Sequence, residues 1–351
     1  MTRPNGKQQH LQTVVEHLDI TRVNVVPLVD MMGQTAFSAR DLARAGRILD
    51  MMVRDEACGI ILTLAGSVVS AGQRRVIVDL LKADMVDAIV STGANIVDQD
   101  FFEALGFRHY QGDKFMDDNT LRELMIDRIY DTYIDEEELR RCDDTIREIA
   151  DGMPPGTYSS REFIGEMARY LRARGLGEDS IIRSAYERGV PIFVPAFSDC
   201  SAGFGLVHHQ VNNPDAHVAI DSVKDFRELT QIKIQQGTTG IFMLGGGVPK
   251  NFVQDIVVSA EFLGHDADMH KYAVQLTVAD ERDGALSGST LKEASSWGKV
   301  DTAWEQMVYG ELTVTFPLVA GYAWHKRGWE GREPRRYERL FEASAEVAAG
   351  D

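Results

Sequence analysis

The sequence predicts an α/β protein: a doubly wound, mainly parallel, Rossmann-like sheet with helices on both faces and a helical N-terminal arm. Three observations carry this. Short, wholly apolar runs such as GIILTL at Gly59–Leu64 and GIFML at 240–244 read as strands covered on both faces. Amphipathic helix patterns separate such runs, and strand, helix, strand in succession is the parallel crossover unit. Loops rich in glycine and serine follow several of the strands, where open parallel sheets bind their ligands.

Taken in order, residues 1–37 form the arm, a polar start followed by a short helix and extended chain. Residues 38–52 place Leu42, Ala45, Ile48, Leu49 and Met52 at helical spacing behind a serine N-cap. After the first strand come a helix at 71–83 and a strand at 86–91. Helices are expected at 136–150, 160–173 and 179–188, then a strand at 191–195, a strand at 217–221 and a helix at 222–236. The strand at 240–244 runs into Gly245, Gly246 and Gly247, and Pro249 stands where a helix would begin. Strands at 272–278 and 312–319 complete the alternation. This organises the chain as an arm (1–37), one large domain (38–330) and a tail (331–351).

With 44% hydrophobic and 26% charged residues, the 351-residue chain has the composition of a soluble globular protein. No run of about 18 apolar residues occurs, so no membrane span is expected. The net charge of −17 repels a nucleic-acid backbone and favours small cationic molecules. Three scattered cysteines indicate neither a disulfide framework nor a zinc knuckle, and MTRPNGKQQH lacks a secretory apolar stretch, so a cytoplasmic location is expected.

The segment from Asp283 to Lys299, DGALSGSTLKEASSWGK, concentrates the chemistry. A lysine nucleophile must be desolvated or set beside other cations, because its ordinary pKa of about 10.4 keeps it protonated at neutral pH. If the segment is helical, Glu293 and Trp297 stand four apart on one face and offer a carboxylate and an aromatic plane to an ammonium group. A solvated surface helix would carry the same residues. The loops at 64–72 (LAGSVVSAG, with Ser67), 91–95 (STGAN, with Ser91 and Thr92) and 245–250 (GGGVPK) could bring backbone close to phosphates, although neither a G-x-G-x-x-G nor a triphosphatase loop is present. Asp199, Asp280, Glu281 and Asp283 sit at strand ends, where carboxylates could hold ribose hydroxyls or an ammonium. His208, His209, His265 and His270 read as packing or solvated groups, and no metal site is expected.

Together, STGAN, PAFSD (195–199), LGGGVPK (244–250), YAVQLT (272–277), DG (283–284), EASSWGK (293–299) and TFPL (315–318) resemble the deoxyhypusine synthase family, in uninterrupted order from about residue 40 to 327. The resemblance implies a homotetrameric, NAD-dependent aminobutyl transferase with a Rossmann-like sheet. In that family a hydride passes from spermidine to NAD, 1,3-diaminopropane leaves and a lysine captures the four-carbon fragment as an imine. An acceptor amine then displaces the lysine and the imine is reduced. By position Lys299 is that lysine, with Trp297 and Glu293 in the amine site. The NAD-contacting segments contain Ser67, Ser91, Thr92, Asp199, Gly245, Gly246, Gly247 and Asp283, and Glu311 stands where the family carries an aspartate.

Three positions depart from the family. Asn251 replaces a histidine, and Phe204 and Leu286 replace aspartates, all in the amine site. Each charge-assisted contact is worth about 1.5–3 kcal/mol, so the chemistry is expected to persist while the substrate changes. The leading expectation is transfer to a small diamine such as putrescine, giving homospermidine, as in the homospermidine synthase-like bacterial branch. The alternatives are a deoxyhypusine synthase acting on a lysine of a translation factor and a non-catalytic NAD- or amine-binding protein.

Overall fold

The computed structural model describes residues 6–287 and 289–341. Among them are eleven strands: β1 (Gly59–Leu64), β2 (Ala88–Ser91), β3 (His109–Gln111), β4 (Ile126–Ile129), β5 (Thr132–Asp135), β6 (Gly156–Tyr158), β7 (Ile192–Phe193), β8 (Val218–Ile220), β9 (Thr239–Leu244), β10 (His270–Thr277) and β11 (Val300–Tyr309). Six build a wholly parallel central sheet in the order β11-β10-β9-β1-β2-β7.

Strand periodicity divides the core. Ile60, Leu62 and Leu64 of β1 face a large cluster that includes Ile48, Leu49 and Met52 of the Phe37–Arg54 helix and Phe316, Val319 and Ala320 of the Leu312–His325 helix. Ile61 points the other way, into a cluster with Leu229 and Ile232 of the Ser222–Gln236 helix and Val253 and Ile256 of the Gly247–Phe262 helix. Helices thus cover both faces, and β1, β2 and β9 are buried along their whole length, as their apolar runs require.

Two small sheets lie outside this one: antiparallel β3-β5-β4 and parallel β6-β8. The expected strand at 217–221 is therefore present as β8 but pairs with β6, away from the central sheet.

The strand expected at 312–319 is a correction: these residues lie in the Leu312–His325 helix. The Glu311 carboxylate caps it by accepting from the Thr313 N–H, and burial of Phe316, Val319, Ala320, Tyr322 and Ala323 against the neighbouring helices outweighs the β-branched composition. The sixth central strand is instead β11, an edge strand of mixed exposure that has no continuous apolar run. Of the arm, the described part contains the helices Lys7–His10 and Val26–Met32, and the buried Lys7 ammonium pairs with Asp135 at 2.6 Å and Glu137 at 3.2 Å. Past residue 330 the chain still packs: Arg332 forms a buried pair with Asp87 at 2.6 Å, and the Tyr337 hydroxyl donates to Gln236 at 2.6 Å. Among the described residues no helix is long and apolar enough to cross a membrane.

Candidate active site

Strand order locates the crevice. From β1 the chain proceeds through β2 to β7 on one side, and from β9 through β10 to β11 on the other, so β1 and β9 flank the topological switch point, where open parallel sheets bind ligands beyond their carboxyl ends. The loops after these two strands meet there. Gly245 has φ +77°, and a Cβ on it would come 3.1 Å from the Cβ of Ala65. A Cβ on Gly246 would come 2.8 Å from the carbonyl oxygen of Ala285 and 2.9 Å from that of Leu286. Behind them, the 16-residue Gly247–Phe262 helix starts at Gly246 with no side-chain cap, so its first N–H groups and the positive end of its dipole are available to an anion.

The β2 loop is stitched to the β1 loop by Asn95. Its amide donates to the Gly66 carbonyl at 2.8 Å and to the Thr92 hydroxyl at 3.0 Å, and its side-chain oxygen accepts from the Val68 N–H at 3.0 Å. Ser91 is fully buried at the end of β2, with its hydroxyl on the Thr92 carbonyl. A cavity of about 420 Å³ brings Ser67 together with Glu311, which are far apart in sequence; Val68, Ser70, Thr313 and the β4–β5 hairpin turn around Tyr130 complete its wall. Glycines that admit no Cβ, an uncapped helix N-terminus and a cavity of this size fit the phosphates and a nucleoside end of a dinucleotide.

The two aspartates expected at the cofactor are in turns. Asp199 is exposed, and the Asp283 carboxylate accepts from the Ala285 N–H at 2.9 Å, capping the Gly284–Leu286 turn. Asp98 was missed by the sequence reading. It accepts from the Ser201 N–H at 2.9 Å, and burial, reinforced by Asp143 and Asp199 nearby, pushes its carboxyl up to about 7. Its signal was faint: one aspartate behind STGAN, on a helix face with no motif of its own.

Lys299 lies elsewhere. Its carbonyl accepts from the His270 N–H at 2.9 Å and it immediately precedes β11, so its backbone stands at the amino end of the sheet, opposite the glycine loops. The side chain runs beside the Gly247–Phe262 helix to Asp255, with Nζ 2.5 Å from Oδ1 and 5.2 Å from the centre of the Trp297 ring. Asp255 is eight residues past Gly247, about 12 Å along the helix axis. Asn251 precedes Asp255 by four residues and shares its face.

Within the described residues of the segment from Asp283 to Lys299, α-helix is confined to Leu291–Ser295. Glu293 and Trp297 therefore do not share a helix face: Trp297 lies in the turn beyond, two-thirds exposed. The Glu293 carboxylate accepts from the Thr290 N–H at 2.7 Å in a capping box, and that bond holds its pKa below the usual range. What secures the loop ahead of this helix is Lys250. It is fully buried, donates to the carbonyls of Leu286 (2.8 Å) and Ser289, and is pushed down to about 8 by burial, with Lys299 adding repulsion and Glu293 opposing.

Of the departing positions, Leu286 is 1% exposed and packs in the core with Val253 and Leu291, so it offers a ligand no open surface. Phe204 is 70% exposed on the Ser201–Asn212 helix and borders a separate cavity of about 420 Å³ with Asp127, Glu136 and Asp143. His208 and His209 lie on that same helix, where His209 is buried against Asp151 at 2.6 Å. No group of three or more His, Cys, Asp or Glu among the described residues could hold a metal ion.

A parallel sheet with a glycine cradle at its switch point and a lysine held by a carboxylate on its flank places the chain among open-sheet α/β proteins. The comparisons with known proteins make this specific. The deoxyhypusine synthase family profile matches residues 27–323. The chain is 68% identical over 342 residues to a deoxyhypusine synthase-like protein of Chlorobaculum parvum, covering 97% of this chain and 98% of the relative. It is 42% identical over 311 residues to a Methanosarcina mazei protein assigned as deoxyhypusine synthase 2, covering 88% and 89%. A solved Entamoeba histolytica structure assigned to deoxyhypusine synthase superposes with a TM-score of 0.58 at 19% identity, over 89% of this chain and 97% of that one, and so shares the fold. The chain belongs to the deoxyhypusine synthase family, and with it to the aminobutyl transferases.

Proposed function

We propose that the protein transfers an aminobutyl group from a spermidine-like donor, through an imine on Lys299, to a small diamine such as putrescine, giving homospermidine. The observation that carries the reading is the setting of Lys299: its side chain is largely enclosed, Trp297 lies beside it, the buried cation of Lys250 is near, and the Asp255 carboxylate stands at its Nζ as a proton acceptor. NAD, when bound, supplies a reversible hydride acceptor. The residues fitted to hold it are Ser67, Ser91, Thr92, Gly245–Gly247 and Glu311, with Asp199 and Asp283 bordering. The Gly247 helix end would balance phosphate charge, and the Glu311 carboxylate would reach a ribose hydroxyl.

Lys299 forms the carbon–nitrogen bond that releases 1,3-diaminopropane and gives it up to the acceptor amine. Trp297 presents an aromatic face to the cationic chain. The change of acceptor rests on Asn251, which shares the Asp255 helix face and lacks the charge of the family's histidine; Phe204, beside a separate cavity, and Leu286, in the core, supply no carboxylate either. A homotetramer is part of the proposal, supported by the exposed apolar stripe Phe204, Val207 and Val211, which a second copy would cover.

A protein lysine as acceptor is the second reading, favoured by the name of the Methanosarcina relative. Labelled spermidine and NAD are supplied with either putrescine or the translation factor. Label in homospermidine supports the first reading, and label held stably in protein supports the second.

A further inference from the structure

We propose that Asp255 is a catalytic residue that relays the proton between Lys299 and the amine nitrogen exchanged at the same carbon. This deepens the proposed reaction and rests on Lys299 being its imine-forming residue. The geometry is specific. Asp255 Oδ1 lies 2.5 Å from Lys299 Nζ. The Asp255 side chain is 42% exposed and the Lys299 side chain 17%, so Asp255 remains open to an incoming group while it holds the lysine. The other candidate carboxylates are committed. Glu293 is held in the Thr290 capping box, and Asp283 caps the turn at Ala285. Asp255 shares a helix face with Asn251, so the relay and the departing amine-site position border the same space.

The chemistry needs such a group. When neutral Lys299 Nζ adds to a protonated imine carbon, a carbon–nitrogen bond forms and Nζ becomes the acidic nitrogen of a geminal diamine. The Asp255 carboxylate removes that proton and delivers it to the second nitrogen. The bond to the second nitrogen then breaks, and the amine leaves with the proton it has gained. No electrons are exchanged, and Asp255 is regenerated as the carboxylate. Running the same steps backwards with the acceptor amine releases Lys299.

Reductive trapping with butanal and cyanoborohydride, without NAD or polyamine, isolates the addition of Nζ and the proton transfer that follows it, with water as the leaving group in place of the amine. Adduct formation at Lys299 is followed by intact mass and peptide mapping in wild type, Asp255→Asn and Asp255→Glu, with Lys299→Ala as the blank. The asparagine variant keeps the shape and a hydrogen-bond acceptor but cannot take a proton, so trapping should slow by about a hundred-fold. The glutamate variant should recover at least a tenth of the wild-type rate. Melting temperatures establish that each variant is folded. A folded Asp255→Asn that traps butanal at the wild-type rate overturns the proposal, as does slow trapping that Asp255→Glu does not restore. If trapping depends on Asp255 while NAD and spermidine yield no product, the relay stands and the aminobutyl-transfer reading falls.

Discussion

The glycine cradle and the lysine flank are built from opposite materials. The cradle is backbone: Gly245–Gly247, an uncapped helix start, and loops tied by the Asn95 amide over a buried sheet. The flank is side chains: Lys299, Asp255 and Trp297, partly exposed, on a segment whose position depends on one buried lysine. A backbone cradle tolerates change at most surrounding positions but none that adds an atom inside it. A side-chain site keeps its reaction in one residue and leaves the surrounding contacts free to vary. In this chain the glycine-loop motifs keep the pattern that resembles the family, while Asn251, Phe204 and Leu286 depart from it.

That contrast can be broken from either side. The largest effect is expected from Lys299→Ala, which should lower aminobutyl transfer by about 10³-fold or more while NAD binding, measured by calorimetry, stays within a factor of two or so. Next comes Gly246→Ala, whose Cβ would press on the backbone carbonyls of Ala285 and Leu286. Relieving that clash should weaken NAD roughly ten-fold and leave butanal trapping at Lys299 intact.

Lys250→Met should loosen the flank while sparing the cradle, lowering stability by about 2 kcal/mol at pH 7 as the Leu286 and Ser289 carbonyls lose their donor. Its pH dependence has a definite sign. In the folded protein Lys250 releases its proton at about 8, below the ordinary lysine value, so between about pH 8 and 10 the unfolded chain binds more protons and stability rises with pH. Below pH 8 both states are protonated and this contribution is flat. The stability gap between wild type and Lys250→Met, measured by urea unfolding, should therefore widen by about 1 kcal/mol per pH unit from 8 to 10. A gap that narrows would refute the buried-cation account. The smallest effect is expected from Trp297→Ala, an exposed ring, which should raise the KM for the amine about three-fold with little change in kcat.

The sequence exposed the cradle well because strands buried on both faces must be apolar and a loop that admits no Cβ must be glycine. It failed where neighbours decide. Residues 312–319 carry strand composition, yet the Glu311 cap and the packing of Phe316 and Val319 make them helical. The true edge strand, β11, is only partly buried and so never shows a continuous apolar run. Lys299 stands out in its motif, whereas Asp255 does not. On the sequence it is one polar residue in VQDIV, and only the fold brings it to the lysine. Glu293 illustrates the converse: its spacing from Trp297 suits a ligand, while its carboxylate is spent on its own helix.

The most direct test of the central claim is borohydride trapping of the protein incubated with spermidine and NAD, read by peptide mapping. The account predicts a four-carbon aminobutyl adduct on Lys299 that requires both NAD and spermidine and is absent in Lys299→Ala. An adduct on another lysine, or none while 1,3-diaminopropane is released, would contradict it.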